Sequence, residues 1–502
     1  MTKLERDMKL PNPFSIGKYA MLIMVFLLVG ACATNPVTGK KQIMFMSESQ
    51  EIALGVQADP SVVAQFGLYQ DEQLQKFIKE KGQEMASISH RSHLKFDFKV
   101  VDSPVINAFA LPGGFVYFTR GILAHFNNEA QFAGVLGHEI GHVTARHGAS
   151  QQSKQMLYSG GLILGMVLSP ELAQMGDLAS QSLGLLFLKF GRDDESQSDR
   201  LGVEYSTKIG YDAKEMAKFF GVLDRVSGGA EGRVPTFMST HPDPADRNVK
   251  VEQMAREWQG KTPNKDFDVN RDSYLRMIDG IVYGEDPRQG FVEENNFYHP
   301  ELKFQFPTPI GWQIQNSPQQ VAMAPEGGKA MMIMNIAQGQ SLEAAATATN
   351  EQYKLKTISS RNTTVNGLPA IEMVSEMVNE QQQQQQQQAQ QQQAVRIQTY
   401  LILYNNIIYR FLGMSYAQDF ATYQTSFLNT MQRFSRLTDP NKINRQPERI
   451  DVQPVQQANS TLADVFRTYG LDAKRHEEFA VLNDMQLTDR LPKGMLIKVL
   501  QR

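Results

Sequence analysis

The stretch that decides the reading is Gly137-His138-Glu139-Ile140-Gly141-His142, set in an apolar-periodic run that predicts a helix. At about 100° per residue, His138 and His142 lie about 40° apart on one face, so both imidazoles can reach one metal ion. Glu139 sits beside them. Two nitrogen ligands and a carboxylate placed to take a proton from water are what a zinc hydrolase needs. Phe132, Leu136, Ile140 and Val143 form a buried stripe on this helix, which puts Glu139 at the edge between the stripe and the histidines. A half-buried carboxylate is costly unless it is paired or functional. Asn128 offers an N-cap, and Gln131 completes a capping box. On a continuous helix His147 falls about 140° from His142 and about 180° from His138, so it reads as a structural or surface histidine outside the ligand set.

A two-histidine site needs a third ligand. Glu195 and Asp199, at i and i+4, share a face of a later helix. The pair fits two roles: a third zinc ligand, and a carboxylate that holds a ligating imidazole in its correct tautomer. By composition alone, an acidic run that also holds Asp193 and Asp194 is a solvated face, and only the upstream motif reverses that reading. His241 stands in a loop fixed by Pro242 and Pro244. Beside a zinc site it is placed to hydrogen-bond a transition-state oxyanion or to occupy the open metal position. Before the metal helix, residues 94–101 alternate as a strand. Residues 107–111, the turn Pro112-Gly113-Gly114 and residues 115–119 then read as a hairpin.

The full chain of 502 residues has room for several domains, and its formal net charge of -3 gives no electrostatic case for nucleic acid. Cys32 is the single cysteine, which excludes a disulfide framework and a cysteine-based zinc cluster. It follows a start carrying Lys3, Arg6, Lys9 and Lys18 and an apolar run at 19–29, too short for a comfortable membrane span. Residues 1–31 therefore read as a signal peptide. Val29-Gly30-Ala31-Cys32 resembles the lipobox of bacterial lipoproteins. That resemblance makes Cys32 the lipidated first residue of the mature chain, and Ala33 after it favours the outer membrane. The later apolar runs at 160–168 and 183–188 are also too short to span a bilayer and read as buried helices.

Four motifs in order resemble one family, the zinc metallopeptidases that include the CAAX prenyl endopeptidase, HtpX and BepA. They are Asn107-Ala108-Phe109-Ala110-Leu111-Pro112-Gly113-Gly114, His138-Glu139-x-x-His142, Glu195-x-x-x-Asp199, and His241-Pro242 followed by Arg247. The resemblance implies a mainly α, gluzincin-type peptidase domain with a small β-sheet. It makes His138, His142 and Glu195 the ligands of one Zn2+ per chain and Glu139 the general base, with Asp199 and Arg247 behind them. It makes His241 a cap on the metal, and it makes the strand at Asn107, Ala108 and Phe109 the edge that pairs with an extended substrate. It also implies a periplasmic endopeptidase, lipid-anchored to the outer membrane, that cleaves misfolded or stalled envelope proteins. The alternative is a self-inhibited, metal-containing chaperone or a peptidoglycan-associated scaffold.

The expected organisation is the peptidase domain at 32–260, an α+β accessory domain at 261–437 with a glutamine-rich loop at 381–393, a linker at 438–457, and a small module at 458–502. No repeat of about 34 residues follows the peptidase domain, so a tetratricopeptide domain is not expected. The last segment resembles a LysM-type module, which implies contact with peptidoglycan.

Overall fold

The computed structural model describes residues 32–159, 190–228, 236–241, 246–261, 266–377 and 394–501. The expected signal peptide at 1–31, the apolar runs at 160–168 and 183–188, the two prolines after His241 and the glutamine tract lie outside the described residues.

The first elements are a short antiparallel pair, β1 (Cys32–Thr34) and β2 (Lys41–Ile43), then α1 (Glu48–Phe66) and α2 (Glu72–Ser87). Ser47 and Asp71 cap the two helices by accepting backbone N–H groups of their first turns. Next come β3 (Asp97–Val101), β4 (Ala108–Leu111) and β5 (Phe115–Thr119). The sheet order is β3-β5-β4, with β3 parallel to β5 and β4 antiparallel to it, so the expected hairpin is present and β4 is an edge. Its turn needs Gly113 and Gly114 at φ 87° and 105°, where a side chain is strained.

The helices α3 (Arg120–His125), α4 (Glu129–Thr144), α5 (His147–Ser159), α6 (Arg192–Lys208), α7 (Lys214–Ser227), α8 (Thr236–Thr240), α9 (Arg247–Lys261) and α10 (Arg271–Met277) complete the unit. The motif helix α4 differs from expectation in two ways. Every residue from Glu129 to Thr144 is buried, because α2, α6, α7, α10 and β4 surround it, so there is no stripe and no edge. Asn128 accepts the Gln131 N–H at 2.8 Å, but Gln131 Oε1 takes the Asn127 N–H at 2.8 Å, which displaces the capping box by one residue.

The α+β domain follows as expected. The strands β6 (Trp312–Asn316), β7 (Gln320–Pro325), β8 (Ala330–Ile336), β9 (Leu355–Val365), β10 (Leu368–Met377), β11 (Val395–Tyr404) and β12 (Ile407–Tyr416) form a seven-stranded antiparallel sheet in the order β9-β10-β11-β12-β8-β7-β6. Alternate residues serve opposite faces. Tyr400, Ile402 and Phe411 pack toward the helix Phe420–Met431, whereas Ile371, Leu401 and Ile408 pack toward the helix Leu342–Gln352.

The expected linker at 438–457 is wrong, and so is the separateness of the last module. Ile450–Pro454 is a strand paired antiparallel with Leu496–Leu500. The backbones of Gly280, Ile281 and Tyr283 also hydrogen-bond those of Glu448 and Ile450. The chain thus leaves the peptidase domain and re-enters it along adjacent segments, with the α+β domain inserted between them. Ile450, Phe466, Phe479, Ile497 and Val499 share one continuous core with Phe126, Phe132 and Phe219 of the peptidase domain. Lys498, fully buried, donates to the carbonyls of Ala124, Phe126 and Leu482 at 2.9, 2.8 and 2.9 Å. Prolines and polar residues at 438–457 resembled a linker because this short strand keeps only Ile450 fully inside.

Candidate metal centre

His138, Glu139 and His142 come from α4 and Glu195 from α6, so the site depends on how closely two helices approach. Glycines set that distance. A Cβ on Gly137 would lie 3.0 Å from Gly202 Cα, and one on Gly202 would lie 2.8 Å from the Gly134 carbonyl oxygen. Any side chain at these positions would push the helices apart.

Four donors converge across this seam. His138 Nε2 lies 3.0 Å from His142 Nε2 and 3.5 Å from Glu195 Oε2, and His142 Nε2 lies 3.4 Å from Glu195 Oε1. His241, just past α8, puts Nδ1 3.1 Å from Glu195 Oε1 and 3.3 Å from His138 Nε2. One ligand atom from each of these four buried residues lies within 4.8 Å of the others. The Phe237 ring stacks on His241 at 4.6 Å, and the Phe190 ring lies 4.0 Å from that of His142.

Outer partners fix the donors. His138 Nδ1 faces Asp199 Oδ1 at 2.9 Å; the carboxylate accepts from Nδ1–H, a tautomer that leaves the Nε2 lone pair aimed inward. Arg247 donates from Nε and Nη2 to both Asp199 oxygens at 2.9 and 2.7 Å and lies 4.1 Å over the Phe220 ring. Burial alone would raise the Asp199 pKa, but Arg247 and His138 push it down to about 2. Glu195 is likewise held below the usual carboxylate range: burial opposes this, and His241, His138 and Arg247 prevail. Burial, reinforced by neighbouring cations, keeps His142 well below its ordinary pKa and therefore neutral. Imidazole nitrogens and a carboxylate converging on one point form a donor set that can hold a cation. Three nitrogens and an oxygen in a closed, four-donor arrangement fit zinc.

Glu139 completes the site from beside it. Both its oxygens are buried without a hydrogen-bond partner among the described residues, and its nearest basic atom is His241 Nε2 at 3.6 Å from Oε1. Burial raises its pKa, against the pull of His241 and His138. A buried carboxylate without hydrogen bonds is rare and calls for a functional explanation.

The matches to known proteins fall on this region. Residues 72–255 match the family model described as Peptidase family M48. That segment is similar to peptidase family M48. The M48 segment holds all seven clustered residues, from His138 to Arg247. Over 185 residues the chain is 33% identical to the mitochondrial metalloendopeptidase OMA1 of Arabidopsis thaliana, covering 36% of each chain. Over 235 residues it is 29% identical to the beta-barrel assembly-enhancing protease of Escherichia coli (strain K12), covering 45% of this chain and 47% of that protein. Over 238 residues it is 27% identical to the OMA1 of Schizosaccharomyces pombe, covering 46% of this chain and 68% of that protein. The match therefore spans less than half of the Arabidopsis and Escherichia coli relatives.

The structure brings His138, Glu139, His142, Glu195, Asp199, His241 and Arg247 of the M48 segment into one cluster. Asn107, Ala108 and Phe109 lie at the edge strand β4, which packs beside α4. Phe109 turns to the other face of the sheet and stacks on Tyr117 at 4.9 Å. Cys32 opens β1, and its side chain is not among those described. His147 is not on the surface: it is buried against His142. Of the two expected places it takes the structural one, outside the four-donor set, and it comes beside His142 because α4 stops at Thr144 and Arg146 adopts φ 60°, which re-aims the chain before α5. A non-glycine residue in that conformation leaves no local signal in the sequence.

Proposed function

We propose that this chain is a zinc-dependent endopeptidase of the cell envelope. The observation that carries the reading is Glu139, buried and without a hydrogen-bond partner, beside four converging donors. His138, His142 and Glu195 would hold the ion, and His241 would be its cap in the resting state. Zinc bound there supplies Lewis-acid polarisation of a scissile carbonyl and of water. Glu139 takes a proton from that water at a carboxylate oxygen and returns it to the leaving amine, a role its raised pKa suits. Asp199, clamped by Arg247, keeps His138 in the Nε2-ligating tautomer throughout.

The edge strand β4 supports an extended substrate added as a further strand, recognised through backbone hydrogen bonds and largely blind to side chains. Unfolded or misassembled envelope proteins are the substrate class this suits, in keeping with a relative named for enhancing β-barrel assembly. Lipidation at Cys32 would tether the chain to the outer membrane on its periplasmic side. Among the described residues no helix is long and apolar enough to cross a membrane.

The test is cleavage of an unstructured protein by zinc-loaded chain, by chain stripped with a chelator, and by stripped chain given zinc again. Cleavage should vanish on stripping and return with zinc. Cleavage that survives complete removal of metal would overturn the reading.

A further inference from the structure

Only one of the two motif histidines leans on a carboxylate. His138 Nδ1 faces Asp199, but His142 Nδ1 faces His147 Nδ1 at 3.1 Å. His142 Nε2 is the atom aimed at the other donors, so its Nδ1 carries the proton and His147 Nδ1 must accept it. That assigns the His147 proton to Nε2, which donates to Gln197 Oε1 at 3.2 Å. The Gln197 amide in turn pairs reciprocally with that of Asn35, both contacts at 3.5 Å. Asn35 is buried, and its Oδ1 also accepts from the N–H groups of Val37 and Thr38 at 2.9 and 3.1 Å. Its Nδ2 lies 3.4 Å from the carbonyl of Ala145, which ends the metal helix. Ser198 Oγ also lies 3.3 Å from His147 Nδ1, and Asp194 Oδ1 lies 3.6 Å from its Nε2. With the His142 proton on Nδ1, the His147 tautomer protonated at Nε2 suits all of these neighbours.

We infer that His147 is the positioning residue for His142, and that Gln197 and the N-terminal hairpin at Asn35 fix its tautomer. The inference rests on the zinc reading above and goes beyond it by adding the β1–β2 hairpin to the metal centre. His147 touches neither substrate nor the ion. It acts through the orientation and basicity of His142, as outer partners of ligating imidazoles do elsewhere. An imidazole acceptor is neutral, so it orients His142 without adding a second negative charge to that of Asp199.

The test measures zinc affinity of the full chain by chelator competition, together with the visible spectrum of the cobalt-loaded protein. His147→Phe keeps an aromatic ring and removes the acceptor. It should weaken zinc binding about 10- to 100-fold and shift the cobalt bands. His147→Gln offers a carbonyl oxygen to His142 Nδ1 and should recover much of both. Gln197→Leu, which leaves every ligand in place, should weaken binding by a smaller factor in the same direction. Wild-type affinity and spectrum in folded His147→Phe would overturn the inference. Should that variant fail to fold, Gln197→Leu decides, and unchanged affinity there overturns it equally. A wild-type chain that binds no zinc would instead overturn the metal-centre reading, and this inference with it.

Discussion

His241 Nδ1 lies 3.1 Å from Glu195 Oε1 and points into the same space as the two motif histidines, while its Nε2 faces Glu139. One side chain thus stands among the four converging donors and against Glu139. His241→Ala should raise cleavage of an unfolded protein about tenfold, the effect of removing about 1.4 kcal/mol of competing ligation. A fall in kcat would assign His241 to oxyanion stabilisation and end the capping account.

The close approach of α4 and α6 gives a second prediction. Gly202→Ala sets a methyl 2.8 Å from a backbone oxygen of α4 and should cost about 1–3 kcal/mol of stability. It should also weaken zinc binding, because Glu195 and the histidines stand on opposite sides of that seam. Gly221→Ala, in α7 with nothing within 4 Å, should stabilise the chain by about 0.5–1 kcal/mol. Equal melting temperatures for the two variants would contradict this account of the seam.

Removal of the C-terminal segment tests the shared core. A chain ending at residue 447 loses Ile450, Phe466, Phe479, Ile497 and Val499 from the peptidase core and should fail to give a cooperative unfolding transition. Lys498→Met leaves three buried carbonyls without their ammonium partner and should cost at least about 3 kcal/mol. A soluble, fully stable truncated protein would restore the picture of a tethered module.

Acid should weaken both cores. The His125 and His299 imidazoles are pushed down to about 4, chiefly by burial, with Lys498 adding to the effect at His125. The unfolded chain takes up a proton at each near pH 6.5, whereas the folded chain does so only near pH 4. Each site's contribution is therefore complete above about pH 6.5 and declines toward pH 4, by up to about 3 kcal/mol. Trp258 stands in the peptidase domain and Trp312 in the α+β domain, so single-tryptophan variants can follow each transition in urea. Transition midpoints that stay level across that pH range would contradict the shifts.

Much of this site was legible in the sequence because its chemistry is local. His142 follows His138 by four positions and Asp199 follows Glu195 by four, and helical geometry turns each spacing into a shared face. The strands at 107–111 and 115–119 were legible for a similar reason, as short apolar runs on either side of Pro112-Gly113-Gly114. What escaped depended on distant partners. No pattern in α4 announces that five other elements bury it, and no residue near Arg146 marks the turn that swings His147 behind His142. Asn35 and Gln197 are separated by 162 positions and meet only in the fold. The strand at 450–454 resembled a linker because its partner lies at 496–500.

The most direct measurement compares cleavage by zinc-loaded His241→Ala with cleavage by the same variant carrying Glu139→Gln, at equal bound zinc. The amide keeps the shape of the carboxylate but cannot take a proton. The account predicts unchanged zinc content and a loss of about 10²- to 10⁴-fold in kcat. Equal cleavage by the two proteins would contradict it.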